Sequence, residues 1–300
     1  MDRLQAMTTF MRVVETGSFS GAARQLRVGQ PAVSKTVAQL EDWLQVRLLI
    51  RSTHSLAPTD AGLRFYERAR IAIQEVDEAE LEARGAGAGL SGRLRVSAAT
   101  TFARLMIVPR LPEFLAQHPS LDIDILLDDR VIDVVAEGID IALRMGGLSD
   151  STAVARKLAT GTRSVVATPD YLERTGMPQI PADLVNHHAL VYSQLDDTWA
   201  FRRGEEVASV TVRGRVRLSA AEGIRAGVLA DMGLAVTSDW MFAPELTTGA
   251  VQRLLPDWAL PPIDLWAVYP SGRLASAKAR AFVSFVEKVV ARADPIQSGL

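Results

Sequence analysis

The stretch Gly17-Ser18-Phe19-Ser20-Gly21-Ala22-Ala23-Arg24-Gln25-Leu26, followed by Arg27-Val28-Gly29-Gln30-Pro31-Ala32-Val33-Ser34-Lys35, decides how the N-terminal part of this 300-residue chain folds. Gly17 ends a first amphipathic helix, in which Leu4, Met7, Met11 and Val14 recur at helical spacing. Ser18 or Ser20 can cap the next helix, whose Ala22, Ala23 and Leu26 are small or apolar. After the break at Arg27-Val28-Gly29, Pro31 stands where a helix begins, since its fixed φ and missing N–H cost little in a first turn. Val33, Val37, Leu40 and Leu44 continue as a buried stripe, leaving Gln30, Pro31, Ser34, Lys35 and Ala38 on the outer side. Two short helices joined by a tight turn, the second with a small and polar outer face, make a helix-turn-helix.

That face suits DNA. A helix fits the major groove, and short side chains near its N-terminus let the backbone come close. Glutamine reads the N6/N7 edge of adenine through two hydrogen bonds, while serine and lysine reach phosphates or base edges. Past the helix, Leu48-Leu49-Ile50 and Leu56-Ala57 flank the polar Arg51-Ser52-Thr53-His54-Ser55, which predicts a hairpin whose tip arginine can enter the minor groove. The candidate DNA contacts are Ser18, Ser20, Gln30, Pro31, Ser34, Lys35, Arg51, Ser52 and Thr53. Residues 1–60 hold seven positive and five negative side chains in a chain of net charge −2, an excess too small to speak for DNA by itself. On pattern alone, a three-helix bundle with no partner stays open, as does a protein-contact module.

Thr59 can cap a long helix, with Asp60 placed favourably against its dipole. Along it Phe65, Ala69, Ala72, Val76, Ala79 and Ala83 step alternately by four and three, a heptad seam. Glu67, Arg68, Glu75, Asp77, Glu78, Glu80 and Glu82 leave little other apolar surface, so the expected partner of the seam is a second copy of the helix. The Gly-rich run from Gly85 to Gly92 then reads as a hinge. It contains G-x-G-x-x-G at Gly87, Gly89 and Gly92, but a dinucleotide loop needs a strand before and a helix after, and the order here is reversed. Beyond it strands and helices alternate: Leu121–Ile125 has strict period-two patterning, and Ile139–Leu143 and Arg163–Ala167 read as further strands. That alternation predicts an α/β domain with a largely parallel sheet.

Forty-eight per cent hydrophobic residues and 23% charged exclude a disordered or fibrous chain. With no cysteine, thiolate metal sites, cysteine nucleophiles and disulfides are excluded. Met1–Gln5 opens into mixed polarity without an export signal, and no apolar run nears the ~20 residues that span a bilayer, so the expectation is a cytoplasmic protein with no membrane partner. His54, His118, His187 and His188 lack metal-ligand spacing. Gly17–Gly21 has the outline of a nucleophile elbow, but its central residue is Phe19. No catalytic residue, metal or cofactor is expected, and Trp199, Trp240, Trp258 and Trp266 read as packing residues. The other classes considered are a solute-binding protein built on the α/β part and an enzyme; the first leaves residues 1–60 unexplained and the second lacks a convincing nucleophile or base.

Phe10, Val13, Glu15, Gly17-Ser18-Phe19-Ser20, Ala22-Ala23 and Leu26, then Gln30 to Lys35, Leu40-Glu41, Leu44, Leu48-Leu49, Arg51-Ser52, Thr59 and Ala61-Gly62 run in order and without gaps; this closely resembles the LysR-type transcriptional regulators. The later domain is similar in length and element order, so the resemblance spans nearly the whole chain. Departures are Gly29 where the family usually has Ser or Thr, Gln45 for a usual Gly, Leu49 for a usual Phe, and His54 at a commonly basic wing position.

The resemblance implies an α+β multidomain protein: a winged helix-turn-helix over 1–58, a linker and dimerisation helix with the hinge over 59–91, and an effector-binding domain over 92–300. That last domain would resemble type 2 periplasmic binding proteins, with one α/β lobe at 92–161 and 266–295 and the other at 162–265. The chain would cross near Ala159–Thr162 and Ile263–Trp266, and a small effector would sit between the lobes. Helix starts at Thr100-Thr101 and at Ser219 should face that cleft, the first with an apolar face of Leu105, Val108 and Leu111, the second running to Gly233. Opposed helix N-termini form an anion trap, so a carboxylate-bearing or otherwise polar metabolite is expected, with Thr100, Thr101, Asp128, Arg144, Ser219 and Glu222 as candidate contacts. Glu222 argues against a purely anionic ligand. The implied partners are double-stranded DNA, a second copy of the chain or a tetramer, the effector, and RNA polymerase; dimer, tetramer and larger ring all stay open.

Overall fold

A computed structural model describes residues 1–51, 56–84, 89–148, 154–270 and 275–293. The chain divides into two compact units, Met1–Gly89 and Leu90–Leu300.

In the first unit, α1 (Arg3–Thr16) is capped by Asp2, whose Oδ1 accepts from the Leu4 and Gln5 amides, and is closed by Gly17 at φ 60°. Ser18 caps α2 (Phe19–Leu26) by accepting from the Gly21 amide at 3.2 Å. The tight turn is made by Arg27, which takes the left-handed conformation at φ 56°. Helix α3 (Gln30–Leu44) starts from Gly29, which offers no side-chain cap, and ends at Gln45, also left-handed at φ 53°. Phe10, Val13, Ala22, Val33, Val37, Leu40 and Leu48 close one core. Strands β1 (Leu49–Arg51) and β2 (Leu56–Pro58) pair antiparallel as the wing, with Leu49 opposite Pro58 and Arg51 opposite Leu56. The long α4 (Asp60–Arg84) packs on α1. Gly62 is needed there, because a Cβ would stand 2.0 Å from the Leu48 carbonyl oxygen. The proposed hinge at 85–88 lies outside the described residues.

The second unit begins with β3 (Ser91–Ala98) and a helical run of four pieces: α5 (Thr100–Phe102), a π-turn (Ala103–Ile107), a 3-10 turn (Val108–Arg110) and α6 (Leu111–Gln117). The sequence reading takes this run as one helix. Pro109 breaks it, since proline has no N–H to donate and its ring clashes with the carbonyl four residues earlier. Val108 is exposed as a result, and Phe102, Ala103, Met106 and Ile107 supply the buried face instead. Then follow β4 (Ser120–Leu127), β5 (Ile141–Met145) and β6 (Val154–Gly161). The chain passes Thr162 into the second lobe: β7 (Arg163–Ala167), α7 (Pro169–Thr175), a 3-10 turn (Pro181–Asn186), β8 (Ala189–Tyr192), β9 (Thr198–Arg203), β10 (Glu206–Thr211), β11 (Gly214–Leu218), α8 (Ala221–Leu229), β12 (Ala235–Ser238), a 3-10 turn (Asp239–Phe242), α9 (Ala243–Thr248) and β13 (Gln252–Leu254). It returns through β14 (Ile263–Tyr269) to α10 (Ala277–Ala293).

The return strand therefore starts at Ile263 rather than Trp266, because Ile263 already pairs with Gly161 of β6. The first lobe's sheet has the order β4-β3-β5-β14-β6. Strand β3 is parallel to β4 and β5, but β14 runs antiparallel to β5 and β6. The sheet is mixed rather than largely parallel, since β14 enters from the other lobe and runs against the strands that left. In the second lobe β8 and β11 are parallel, whereas β12 and β13 both pair antiparallel with β7. Separate cores support the lobes: Leu94, Val96, Ile141, Leu143 and Phe282 in one, Val165, Tyr171, Leu184, Phe201 and Leu234 in the other.

Candidate functional site

In the first unit Gln30, Pro31 and Lys35 are exposed on the first turns of α3, Ser34 is half-buried, and Val33, Val37 and Leu40 face inward. Ser18 is half-buried and engaged as a cap, and its hydroxyl oxygen lies 2.8 Å from that of the exposed Ser20. Arg24, Arg27 and Lys35 are exposed cations along the same two helices. Arg51 closes β1, while Ser52 and Thr53 lie outside the described residues. A residue the sequence reading missed holds this unit together. Glu41, only 3% exposed, accepts from the Leu48 amide at 2.7 Å and the Leu49 amide at 3.1 Å through one oxygen, and from Arg47 at 3.2 Å through the other. The carboxylate thereby pins the wing to the back of α3. Thr59 does the same for α4, donating to the Arg47 carbonyl and accepting from the Gly62 amide.

The seam expected on α4 is partly covered within its own unit. Phe65 meets Phe10 edge to face at 5.6 Å and Ala69 is buried, so the first two seam positions are covered inside the unit, against the expectation that a second chain covers them. The seam bends into the module's own core there because α1 lies alongside α4. Ala72 and Val76 are half-buried and Ala79 is exposed.

In the second unit a cavity of about 650 Å³ opens between the lobes, lined from one side by Thr101, Phe102, Asp128, Asp129, Arg144 and Met145 and from the other by Arg163, Tyr192, Gln194, Ile224, Thr237, Ser238 and Trp240. Of the expected contacts, Thr101, Asp128 and Arg144 line it. Thr100, Ser219 and Glu222 are not among the lining residues. Thr100 contributes its backbone N–H to Asp129, and the exposed Ser219 does not cap α8, whose first residue is Ala221. Helix α8 ends at Leu229 rather than at Gly233; Gly233 instead packs where a Cβ would stand 2.3 Å from the His188 carbonyl oxygen. Glu222 pairs with Arg104 of the opposite lobe at 2.7 and 2.9 Å.

The amides at the two helix starts, Thr100 and Ala221, are both taken by a carboxylate of the chain itself. Asp129 accepts from the Thr100 amide through Oδ1 and from the Ala221 amide through Oδ2, both at 2.7 Å. Its backbone carbonyl also accepts from Gln194 Nε2 at 2.7 Å. Next to it, Asp128 is held by Arg130 at 2.8 Å, which lowers its pKa to about 2, chiefly through that side-chain hydrogen bond. Arg144 donates to the Arg130 carbonyl through Nη1, and burial lowers its pKa against the pull of Asp128. Burial raises the Tyr192 pKa strongly, with the nearby Asp129 charge adding to it. Trp240 crosses Phe102 edge to face at 5.5 Å, one ring from each lobe, so it is a cleft residue rather than packing alone. Trp199 and Trp258 are core residues. Among the described residues no cluster of His, Cys, Asp or Glu could hold a metal ion, and no helix is long and apolar enough to cross a membrane.

Comparison with known proteins decides what these sites belong to. Residues 4–63 match the bacterial regulatory helix-turn-helix protein of the lysR family, and residues 87–291 match the LysR substrate binding domain. The chain is a LysR-type transcriptional regulator. This regulator is 34% identical over 275 residues to a helix-turn-helix transcriptional regulator of Haemophilus influenzae, covering 91% of this chain and 96% of that one. It is 32% identical over 271 residues to the transcriptional activator AaeR of Escherichia coli K12, covering 90% and 88%. In structure it is similar to CrgA, a LysR-type transcriptional regulator from Neisseria meningitidis, with a TM-score of 0.59 at 30% identity over 96% of this chain and 98% of that one. The regulator thus combines a DNA-binding helix-turn-helix with an effector-binding domain, as the N-terminal motif implied. Asp129, Gln194, Thr237 and Trp240 were not legible as cleft residues. The Asp128-Asp129-Arg130 run after β4 was the available signal, and only the fold says which of the adjacent carboxylates turns toward the other lobe.

Proposed function

We propose that this regulator reads its operator as a homodimer through the first turns of α3, and that a small molecule between the lobes changes operator affinity by way of the linker helices. The observation that carries the DNA reading is the exposed set Gln30, Pro31 and Lys35 opposite the buried Val33, Val37 and Leu40. Gly29, lacking a side chain, also lets the backbone come close to a phosphate at the start of that helix. In this reading Gln30 and Ser34 specify bases, Lys35 and the wing residues Arg51, Ser52 and Thr53 contact phosphates or the minor groove, and Ser18 and Ser20 position the first of the two helices on the backbone. Dimerisation runs through Ala72, Val76 and Ala79, and doubles the phosphate contacts that one module of small net charge makes. A tetramer of two such dimers, contact with RNA polymerase, a cytoplasmic location, and function without catalysis or cofactor belong to the same proposal. The effector acts only in so far as it binds the two lobe arrangements with different affinity.

The test is a gel shift on the intergenic DNA upstream of the regulator's own gene. Wild type gives a shift that resists nonspecific competitor. Gln30→Ala weakens binding and relaxes base choice at particular positions, whereas Lys35→Ala weakens all sequences alike and lowers the salt slope by about one. Identical behaviour of the two variants overturns the assignment of the reading face.

A further inference from the structure

Asp129 presents an unusual arrangement for a ligand cleft. Its carboxylate belongs to the first lobe, yet one oxygen takes the Thr100 amide and the other takes the Ala221 amide at the start of α8 in the second lobe. It takes the backbone amides at both helix starts. Other lining acids are also engaged: Asp128 with Arg130, and Asp133 with the Val135 and Ala136 amides at 2.9 and 3.1 Å.

The groups left over are of another kind. Thr101 is 1% exposed and Thr237 is 4% exposed; both line the cavity, one from each lobe, and neither hydroxyl has a hydrogen-bond partner among the described residues. Trp240 Nε1 and Arg144 Nη2 are buried without a partner as well, and both can only donate. Buried donors in a native cavity call for acceptors. Most of the remaining lining, including Phe102, Ile224, Val236 and Met241, is apolar, and the volume suits a molecule of a few rings.

We infer that the effector this cleft accepts is an uncharged molecule with an apolar body and hydrogen-bond-accepting groups, because the chain's own Asp129 takes the backbone amides at both helix starts. This narrows the expectation of a carboxylate-bearing ligand, and it rests on the reading of the cleft as the effector site. The lining carries three carboxylates, Asp128, Asp129 and Asp133, against two guanidiniums, Arg144 and Arg163, so a carboxylate arriving in the cavity meets no excess of positive charge; an uncharged carbonyl compound meets the unpartnered donors and leaves the Asp129 bridge intact.

The probes are 2-acetonaphthone and 2-naphthoate, which share a ring and nearly an outline but differ in charge, titrated calorimetrically into the full-length protein. Wild type binds the ketone at least tenfold more tightly than the carboxylate. Asp129→Ala melts lower than wild type, regains melting temperature with acetate but not with chloride at equal ionic strength, and binds 2-naphthoate at least tenfold more tightly than wild type does. Asp129→Asn, which keeps an acceptor oxygen, serves if the alanine variant does not fold and shifts the preference in the same direction. A wild type that prefers 2-naphthoate or binds neither probe, or a variant indifferent to acetate, overturns the inference. If 2-naphthoate rather than the ketone alters the operator gel shift, the inference falls and the regulatory reading stands. If the ketone binds as expected and leaves the shift unchanged, the inference about the cleft stands and its regulatory role falls.

Discussion

Replacing Glu41 with alanine leaves the Leu48 and Leu49 amides without their acceptor in a buried place. Each unpaired buried donor costs about 1–3 kcal/mol, so Glu41→Ala is expected to destabilise the DNA-binding unit by ~2–4 kcal/mol. Both amides use the same carboxylate oxygen. Glu41→Gln therefore keeps both hydrogen bonds and loses the charge facing Arg47, an exposed partner, so its cost should be nearer ~1 kcal/mol. Urea unfolding followed by circular dichroism measures the difference; equal losses for the two variants would show that charge, not the acceptor, holds the wing. The sequence gives no sign of this role for Glu41, because its amide partners, Leu48 and Leu49, come from the residues after the helix.

At the scale of elements, the stretch from the 3-10 turn at Pro181–Asn186 into β8 carries a pH dependence. His187 is buried, with Nδ1 3.4 Å from the Tyr171 hydroxyl, which itself accepts from the His188 amide. Burial lowers the His187 pKa below 6.5, against the attraction of Asp183. The unfolded chain then binds this proton more readily than the folded one. The contribution to stability is complete above pH 6.5, and it is lost as the pH falls from there through the lower folded value. Melting of the protein between pH 7 and pH 5 should show a loss of melting temperature that His187→Gln, which does not titrate, removes. An identical pH profile for that variant would assign the loss to other groups. The element level is also where pattern reading failed by degrees. β4 and β7 were legible from alternation and apolar runs, but the helical run over 100–117 was read through Pro109, and the direction of β14 depends on a crossing that no local pattern encodes.

For the whole molecule, assembly decides how well a modest local charge serves DNA binding. In the proposed dimer only the lower part of the α4 seam is left to a second chain, since Phe65 and Ala69 are covered by the module itself. Val76, half-buried in the middle of that remainder, is the position to test. Val76→Glu puts a charge into an apolar helix contact and should weaken the dimer at least tenfold, with a parallel loss of operator affinity. Sedimentation measures the first and the gel shift the second; an unchanged sedimentation profile would place the interface elsewhere.

The amino-acid sequence alone determined the helix-turn-helix and its outward face, because caps, glycine stops and apolar periodicity act between residues a few positions apart. It determined the family too, since the residues that carry the motif lie in one continuous stretch. The crossing between lobes, the mixed sheets, the burial of Glu41, and the seating of Asp129 between the Thr100 and Ala221 amides were decided only by the tertiary structure. Those contacts join residues far apart along the chain, and a carboxylate shows the same letter in the sequence whether it faces water, a strand or the opposite lobe. Its surroundings, set by the packing of distant elements, fix what it does.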